Sequence, residues 1–369
     1  MPVTMDRREW LTRSGAAAVY AVVAGCQSAP SLLKRGDRDL VRLNLNENPY
    51  GPSPAARKAM AEAFDESHLY RGIPYQELRK LIAEQEDIPP DHIVIGSGSG
   101  EILNVAGLIY GRDGGEILAP QPTFEQLQQY ATTVGATIHR VPLDDRMNQD
   151  LKEMSRRISS KTSLVYICNP NNPTGVLVNG SALRTFCEDA SGRTVVYVDE
   201  AYHEFVDSPT HRTMVELVRE GRNVIVSRTA SKIHALAGLR IGFGIARPDI
   251  IRTLAQHRTG SVNVVGLRGA IASYHDAAYQ SISKRRTQQG KEALYALLDR
   301  TGHRYLRSEG NFVFFQTGRP IEQFRTSMQE QGILVARPFP PFNDWCRVSI
   351  GTDEGMERFA QALQTVFNS

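Results

Sequence analysis

The chain has 369 residues, 41% of them apolar and 22% charged, with a formal net charge of +3. That is ordinary globular composition, long enough for about two domains at ~150 residues each. The charge is too mild for a nucleic-acid partner, and no basic run is interleaved with aromatics. The four cysteines, Cys26, Cys168, Cys187 and Cys346, fit neither the spacing of a zinc site nor a disulfide framework. No metal is expected, and Cys168, Cys187 and Cys346 read as buried or free thiols.

The N-terminus carries Arg7-Arg8-Glu9-Trp10-Leu11, then an uncharged stretch from Gly15 to Gly25 that ends in Val23-Ala24-Gly25-Cys26. A basic segment, a short apolar segment and a small-residue exit make a signal peptide. Eleven residues rise only ~16 Å as a helix, too short to span a bilayer. The paired arginines resemble a twin-arginine export signal, and Val-Ala-Gly-Cys resembles the lipobox of bacterial lipoproteins. These resemblances imply a leader over 1–26, lipidation at Cys26, and a periplasmic or membrane-anchored protein that meets the membrane only through that lipid. The competing reading is a frayed helix at the start of a cytoplasmic protein. Residues 27–41 are polar, with Pro30 and Gly36, and read as a linker.

Strands and helices alternate from there. Ser53-Pro54 opens a helix to about Phe64, with Ser as N-cap and Pro in the first turn. A second helix covers about Tyr75–Gln85, with Leu78, Leu81 and Ile82 on one face. Seven short apolar runs follow, at 93–95, 116–118, 137–138, 164–167, 195–198, 224–226 and 241–243. Helical stretches such as 125–133, 181–189 and 213–219 separate them. This alternation predicts an α/β fold with a mainly parallel seven-stranded sheet covered on both faces. A long helical region runs from about Val264 to Asp299. Strands at 312–316, 332–335 and 347–350 and helices at 321–331 and 354–367 come after it. The expected organisation is a large domain over 66–262 and a smaller α+β domain over 263–369, with the segment 42–65 packing on the smaller one.

In such a sheet ligands sit beyond the carboxyl ends of the strands, and four of those ends carry unusual residues. The run 93–95 leads into Gly96-Ser97-Gly98-Ser99-Gly100-Glu101 and a helix. Small residues there free backbone N–H groups for a phosphate, although a glycine-rich turn is as often only a turn. The run 164–167 leads into Asn169-Pro170-Asn171-Asn172-Pro173-Thr174-Gly175, a rigid polar loop. The run 195–198 ends in Asp199-Glu200-Ala201-Tyr202. An acid directly after a buried strand is costly unless paired, so Asp199 either meets a cation or caps the next helix. The run 224–226 leads into Ser227-Arg228-Thr229-Ala230-Ser231-Lys232. Lys232 is either a surface charge or the residue type that forms Schiff bases with carbonyl cofactors.

Asn-Pro-Asn-Asn-Pro-Thr-Gly, Val-Asp-Glu-Ala-Tyr and Arg-Thr-Ala-Ser-Lys, with Ala-Gly-Leu-Arg-Ile-Gly downstream, resemble the class I/II aminotransferases of fold type I. Leu45-Asn46-Glu47-Asn48-Pro49-Tyr50-Gly51-Pro52 and Arg347-Val348-Ser349-Ile350-Gly351-Thr352 are similar to the histidinol-phosphate aminotransferase subgroup. The resemblance covers 43–367 in the family order. It implies pyridoxal 5'-phosphate as cofactor, with Lys232 carrying it and moving the substrate's proton, and with Asp199 and Tyr202 completing the catalytic set. Asp199 would pair with the ring nitrogen, and Asn172 and Tyr202 would bond the ring oxygen. Ser99, the backbone of Gly98 and Gly100, Thr229, Ser231 and Arg240 would hold the phosphate. Phe124 would stack on the ring, where the family usually has Tyr. Tyr70 would reach the phosphate of a neighbouring subunit, which implies a homodimer with shared sites. Substrate would meet Tyr50, Asn172, Arg337 and Arg347.

The implied reaction is transamination between an L-amino acid, histidinol phosphate-like or aromatic, and a 2-oxo acid such as 2-oxoglutarate. Pro338-Phe339-Pro340-Pro341-Phe342 lies in a segment shorter than the family's usual one and carries the aromatic alternative. Two other readings share the fold: a decarboxylase of an amino acid phosphate, and a binding protein without catalysis.

Overall fold

Seven strands fall where the apolar runs predict them: β1 Ile93–Ser97, β2 Glu116–Gln121, β3 Thr137–Pro142, β4 Thr162–Cys168, β5 Val195–Asp199, β6 Val224–Thr229 and β7 Ile241–Ile245. In the computed structural model, which describes residues 40–70 and 72–368, they form one sheet in the order β1-β7-β6-β5-β4-β2-β3. The expected leader with Cys26 and most of the linker lie outside the described residues. Neighbours from β3 through β6 pair in parallel. Only β7 runs the other way, antiparallel to both β1 and β6. Alternate residues feed two cores. Val165, Ile167, Val196, Val198 and Val226 enter one cluster, and Leu164, Tyr166, Tyr197 and Ile225 enter the other. Near-continuous apolar strands are what a sheet covered on both faces requires.

The helix boundaries follow local chemistry. Ser53 Oγ accepts from Ala56 N at 3.1 Å and caps Pro54–Glu62. The second helix starts earlier than expected, as Gly72–Gln85, because Pro74 is tolerated in a first turn that has no N–H acceptor to offer. The long region predicted over 264–299 is two helices, Val264–His275 and Ala277–Arg300. Asp276 divides them, its carboxylate accepting from Tyr279 N at 3.0 Å to cap the second. Leu151–Arg157 and Pro248–Gln256 were not among the predicted helices. The first spans two turns, so its apolar period is too short to read, and Asp150 caps it through Glu153 N at 2.9 Å.

A second, antiparallel sheet has the order β10-β9-β8, from β8 Tyr305–Leu306, β9 Phe312–Gln316 and β10 Trp345–Ser349. Phe315 meets Phe324 of helix Ile321–Glu330, which in turn meets Phe367 of helix Asp353–Asn368. The strand expected at 332–335 shortens to Ile333–Leu334. The segment after Arg42 threads past this layer: Leu43 N donates to Leu334 O at 2.8 Å and Ser349 N to Leu43 O at 2.9 Å. Those two bonds deliver Asn44, Leu45, Asn46 and Glu47 toward the end of the large sheet. Residues Arg42–Ser369 form one compact unit.

Cys168, Cys187 and Cys346 are buried free thiols, as their spacing implied. Burial pushes all three well above the ordinary thiol range. Among the described residues, no helix is long and apolar enough to cross a membrane.

Candidate active site

The carboxyl ends of β1, β4, β5 and β6 open on one cavity of about 490 Å³. The two residues that end β5 have opposite fates. Glu200 is buried toward the scaffold, where Arg228 meets it at 3.0 Å and Thr213 and Met214 N add hydrogen bonds. Arg228 also meets Glu86 at 2.5 Å, so this charge cluster is closed within the protein. Asp199 points the other way and lines the cavity. It is only 2% exposed, and it accepts from Ser227 Oγ at 3.2 Å and Tyr166 OH at 3.3 Å. Among the described residues no cation lies within ion-pair distance of it. Burial therefore pushes its carboxyl up to about 6, against the opposing pull of Ser227, Tyr166, the Ala201 N–H and Lys232.

Lys232 enters the same cavity from the turn after β6. Among the described residues its Nζ bonds only backbone carbonyls, Asn46 O at 3.1 Å and Leu45 O at 3.3 Å, and stands 5.7 Å from the Tyr202 ring centroid. Burial, helped by the charge of Arg347, lowers it to about 8. Tyr202 is buried, and its hydroxyl accepts from Asn46 Nδ2 at 3.0 Å and Asn172 Nδ2 at 3.2 Å. With both lone pairs engaged, its proton is left for an acceptor in the cavity. Asn171, one residue earlier, turns inward to Thr123 and Pro122 instead, so the two asparagines divide into one that builds the loop and one that faces the site.

The third group gathers at the start of helix Ser99–Gly111. Gly98 precedes it at φ 74 with no side-chain cap, so the first N–H groups stay available. A side chain at Gly98 would collide with the Arg240 guanidinium, and one at Gly242 would collide with the Gly98–Ser99 backbone. These two glycines let β7 and the arginine close on the turn. Arg240 donates to Ser231 Oγ at 3.3 Å, and Thr229 Oγ1 to Ser231 Oγ at 2.9 Å. Two hydroxyls, a guanidinium without an ion-pair partner among the described residues and an open helix N-terminus make an anion cradle.

The fourth group is cationic. Arg347 is buried, with Asn172 Oδ1 at 2.6 Å and Asn44 O at 2.7 Å, and its Nε has no partner. Burial lowers it to about 10, and no carboxylate lies within ion-pair distance among the described residues. Arg337 is half-exposed at the cavity wall, 3.4 Å from Glu125. Both guanidiniums lie over the Phe339 ring, at 4.6 Å for Arg337 and 5.1 Å for Arg347.

Of the residues singled out from sequence, Ser99, Gly100, Phe124, Asn172, Asp199, Tyr202, Thr229, Ser231, Lys232, Arg240, Arg337 and Arg347 share this one lining. Gly98 supports it from behind. Tyr50 stands apart, its ring 4.6 Å from the Arg286 guanidinium and its hydroxyl 3.5 Å from Asp353. Tyr70 is 98% exposed and contributes nothing to the cavity of its own chain. Phe342 packs with Phe314 and Trp345 rather than at the site, whereas Phe339 lines it. Sequence reasoning missed Arg325, which also lines the cavity and whose Nε is buried without a partner. Little marks it in the sequence, where it is a single charge at the edge of the apolar stripe of Ile321, Phe324 and Met328. Asn46 sat inside a noted motif, but its bond to Tyr202 is a long-range pairing that no spacing encodes.

The pattern of the family described as aminotransferase class I and II matches residues 38–363. The chain belongs to that family. It is 36% identical over 332 residues to a histidinol-phosphate aminotransferase of Symbiobacterium thermophilum, covering 89% of this chain and 91% of that protein. Over 334 residues it is 36% identical to another of Moorella thermoacetica, covering 90% and 86%. A structure from Erwinia carotovora atroseptica, provisionally named histidinol-phosphate aminotransferase, superposes with a TM-score of 0.86 at 31% identity, covering 89% of this chain and 96% of that one. The Sinorhizobium meliloti histidinol-phosphate aminotransferase, solved with pyridoxal-5'-phosphate, shares the fold with a TM-score of 0.83 at 24% identity, covering 93% and 98%. The protein is thus a transaminase of fold type I. The decarboxylase and binding-only readings find no favour in these matches.

Lys232 gives a pH test. Its amine is nucleophilic only when neutral, and neutrality is lost as pH falls through about 8. In the protein freed of cofactor, the rate of Lys232 modification by an aldehyde and borohydride should rise between about pH 7 and 9 and then level. Peptide mass spectrometry reads it, and a profile centred above about 10, like an ordinary lysine, contradicts the assignment.

Proposed function

We propose that this transaminase binds pyridoxal 5'-phosphate in the cavity and moves an amino group from a histidinol phosphate-like donor to a 2-oxo acid such as 2-oxoglutarate. The observation that carries the cofactor assignment is Asp199, a buried carboxylate with hydroxyl donors and, among the described residues, no cation in ion-pair reach. A protonated ring nitrogen is the partner it lacks. The other residues fit the same group. The cradle of Ser99, Gly100, Thr229, Ser231 and Arg240 suits its phosphate, Phe124 suits its ring face, and the spare protons of Tyr202 and Asn172 suit its ring oxygen. When bound, the cofactor supplies a conjugated cationic ring that takes up electron density from the donor's amino-bearing carbon. Lys232 would hold the cofactor through Nζ and, once freed by the incoming amine, would take the proton from the donor's amino-bearing carbon and hand it on rather than back to that carbon.

What supports the donor class is the set of arginines. Arg347 is a buried cation with no counter-ion among the described residues and an unpartnered Nε, the setting for a planar anion gripped by two hydrogen bonds. A carboxylate satisfies it alone. A phosphate monoester carries more charge and a longer arm, and Arg337 and Arg325 on the same wall can share it. The 2-oxo acid acceptor must use the same cations in the second half of the reaction. The comparison to make is kcat/KM for histidinol phosphate, glutamate and phenylalanine in wild type, Arg337→Ala and Arg347→Ala. Arg347→Ala should lower all three, and Arg337→Ala should lower only the first two, by roughly ten- to hundredfold for a lost charge-assisted hydrogen bond. Equal effects of Arg337→Ala on all three would leave Phe339 as the determinant and point to an aromatic donor.

The active unit in this reading is a homodimer. Phe64, Leu69, Tyr70 and Ile73 form an exposed apolar stretch that a second copy would cover, with Tyr70 reaching the partner's phosphate cradle. Sedimentation should give two chains, and Tyr70→Ala should weaken cofactor retention without any change inside its own cavity. A monomeric active protein sinks this.

The leader is proposed on sequence alone: export by the paired arginines, then lipidation at Cys26, which needs several acyl chains for stable anchoring. Mass spectrometry of the native N-terminus should find acylated Cys26 as first residue, and an intact Met1 would place the enzyme in the cytoplasm.

A further inference from the structure

We propose that Tyr166 is a positioning residue whose phenol, reaching across from β4, keeps the Asp199 carboxylate ionised and aimed into the cavity. The inference rests on the reading that Asp199 meets the cofactor's ring nitrogen.

The register of the sheet creates the contact. β4 and β5 pair in parallel with Tyr166 opposite Tyr197 and Cys168 opposite Asp199. Residues two apart share a face of a strand. Tyr166 therefore stands one step behind the acid on the same face, and a phenol is long enough to cover that step. Its hydroxyl donates to Asp199 Oδ2 at 3.3 Å, while Ser227 from β6 donates to Oδ1 at 3.2 Å. Each carboxylate oxygen thus has a donor from a flanking strand, which fixes the plane of the group as well as its charge. A hydroxyl in that position is costly unless it bonds, because Tyr166 is fully buried within the apolar cluster on that face of the sheet. Phenylalanine would fill the same space at no such cost. The residue next to it illustrates the difference: Tyr197 stacks on Tyr166 with centroids 5.9 Å apart, and its own hydroxyl makes no hydrogen bond to Asp199.

The groups facing Asp199 come from every neighbouring element. They are Tyr166 and Cys168 from β4, Tyr197 from its own strand, the Ala201 N–H and Tyr202 from the following turn, Ser227 from β6, and Lys232. Among them only Lys232 carries charge near neutrality. The remaining stabilisation of the anion is by hydrogen bonds, and loss of one donor raises the carboxyl above its value of about 6. The sign follows. A carboxyl that has taken up a proton cannot balance a cationic nitrogen, so cofactor affinity falls as pH drops through the free-protein value. Deleting the phenol moves that fall to higher pH.

The test is the dissociation constant of pyridoxal 5'-phosphate for the full-length protein stripped of cofactor, followed by fluorescence from about pH 5 to 8. The cofactor's own titration is common to all variants and cancels. In Tyr166→Phe the break should move up by roughly one pH unit, the equivalent of one ordinary hydrogen bond, with about fivefold weaker binding near pH 6. Ser227→Ala should move it the same way, and Tyr197→Phe should not move it. An unmoved break in folded Tyr166→Phe, or an equal shift in Tyr197→Phe, overturns the proposal. Asp199→Asn separates the two layers of the argument. It should keep only the break that the cofactor's own titration gives, and a profile there that still matches wild type means that Asp199 does not meet the ring, whatever Tyr166 does.

Discussion

A carboxylate held away from water with no cation beside it is the constraint around which this site is organised. Asp199 and Glu200 follow one another at the end of β5, and both are buried. Alternation sends their side chains in opposite directions. Glu200 meets Arg228 and is neutralised within the scaffold. Asp199 is left with neutral donors, two hydroxyls and the Ala201 N–H, a state that burial makes costly until a ligand brings positive charge. One dipeptide thereby anchors the fold with one acid and creates a demand for a cofactor with the other.

The opposite wall has the opposite sign. Arg347 is a buried guanidinium without a carboxylate, and Lys232 lies between the two with its amine held near neutrality. Electrostatically the cavity runs from an unpaired anion through a tunable amine to an unpaired cation. A molecule that satisfies it must be cationic at one end and must admit an anionic substrate at the other. This preorganised polarity needs no large rearrangement to act on charge that develops between its ends.

Much of this was legible in the sequence, because the relevant signals are local. Four apolar runs ending in glycine, asparagine, aspartate and lysine announce strand ends that meet a ligand, and all four open on the same cavity. Motif order then named the family that the matched pattern bears out. What was not legible depends on three-dimensional pairing. Asn46 bonding Tyr202 spans 156 residues, and Arg325 joins the lining only because its helix packs with that face inward. The split at Asp276 was hidden because helical periodicity continues on both sides of it. Tyr50 and Tyr70 were named from motif position, and neither lines the cavity of its own chain, so a role for Tyr70 requires a second copy.

The one antiparallel strand of the seven-stranded sheet has a consequence for how the chain can vary. Because β7 runs backwards, its first residue arrives at the edge where the parallel strands leave: Ile241 lies level with Ser97, and Gly242 with Thr229. The stretch from Lys232 to Arg240 is therefore a closed loop pinned at both ends to the same ligand site. Length change is well tolerated in most surface loops, because closure entropy grows slowly. Here one added or lost residue would shift the Arg240 guanidinium relative to the Lys232 amine at the other end of the loop, so this connection behaves as a fixed ruler between two residues that line one cavity.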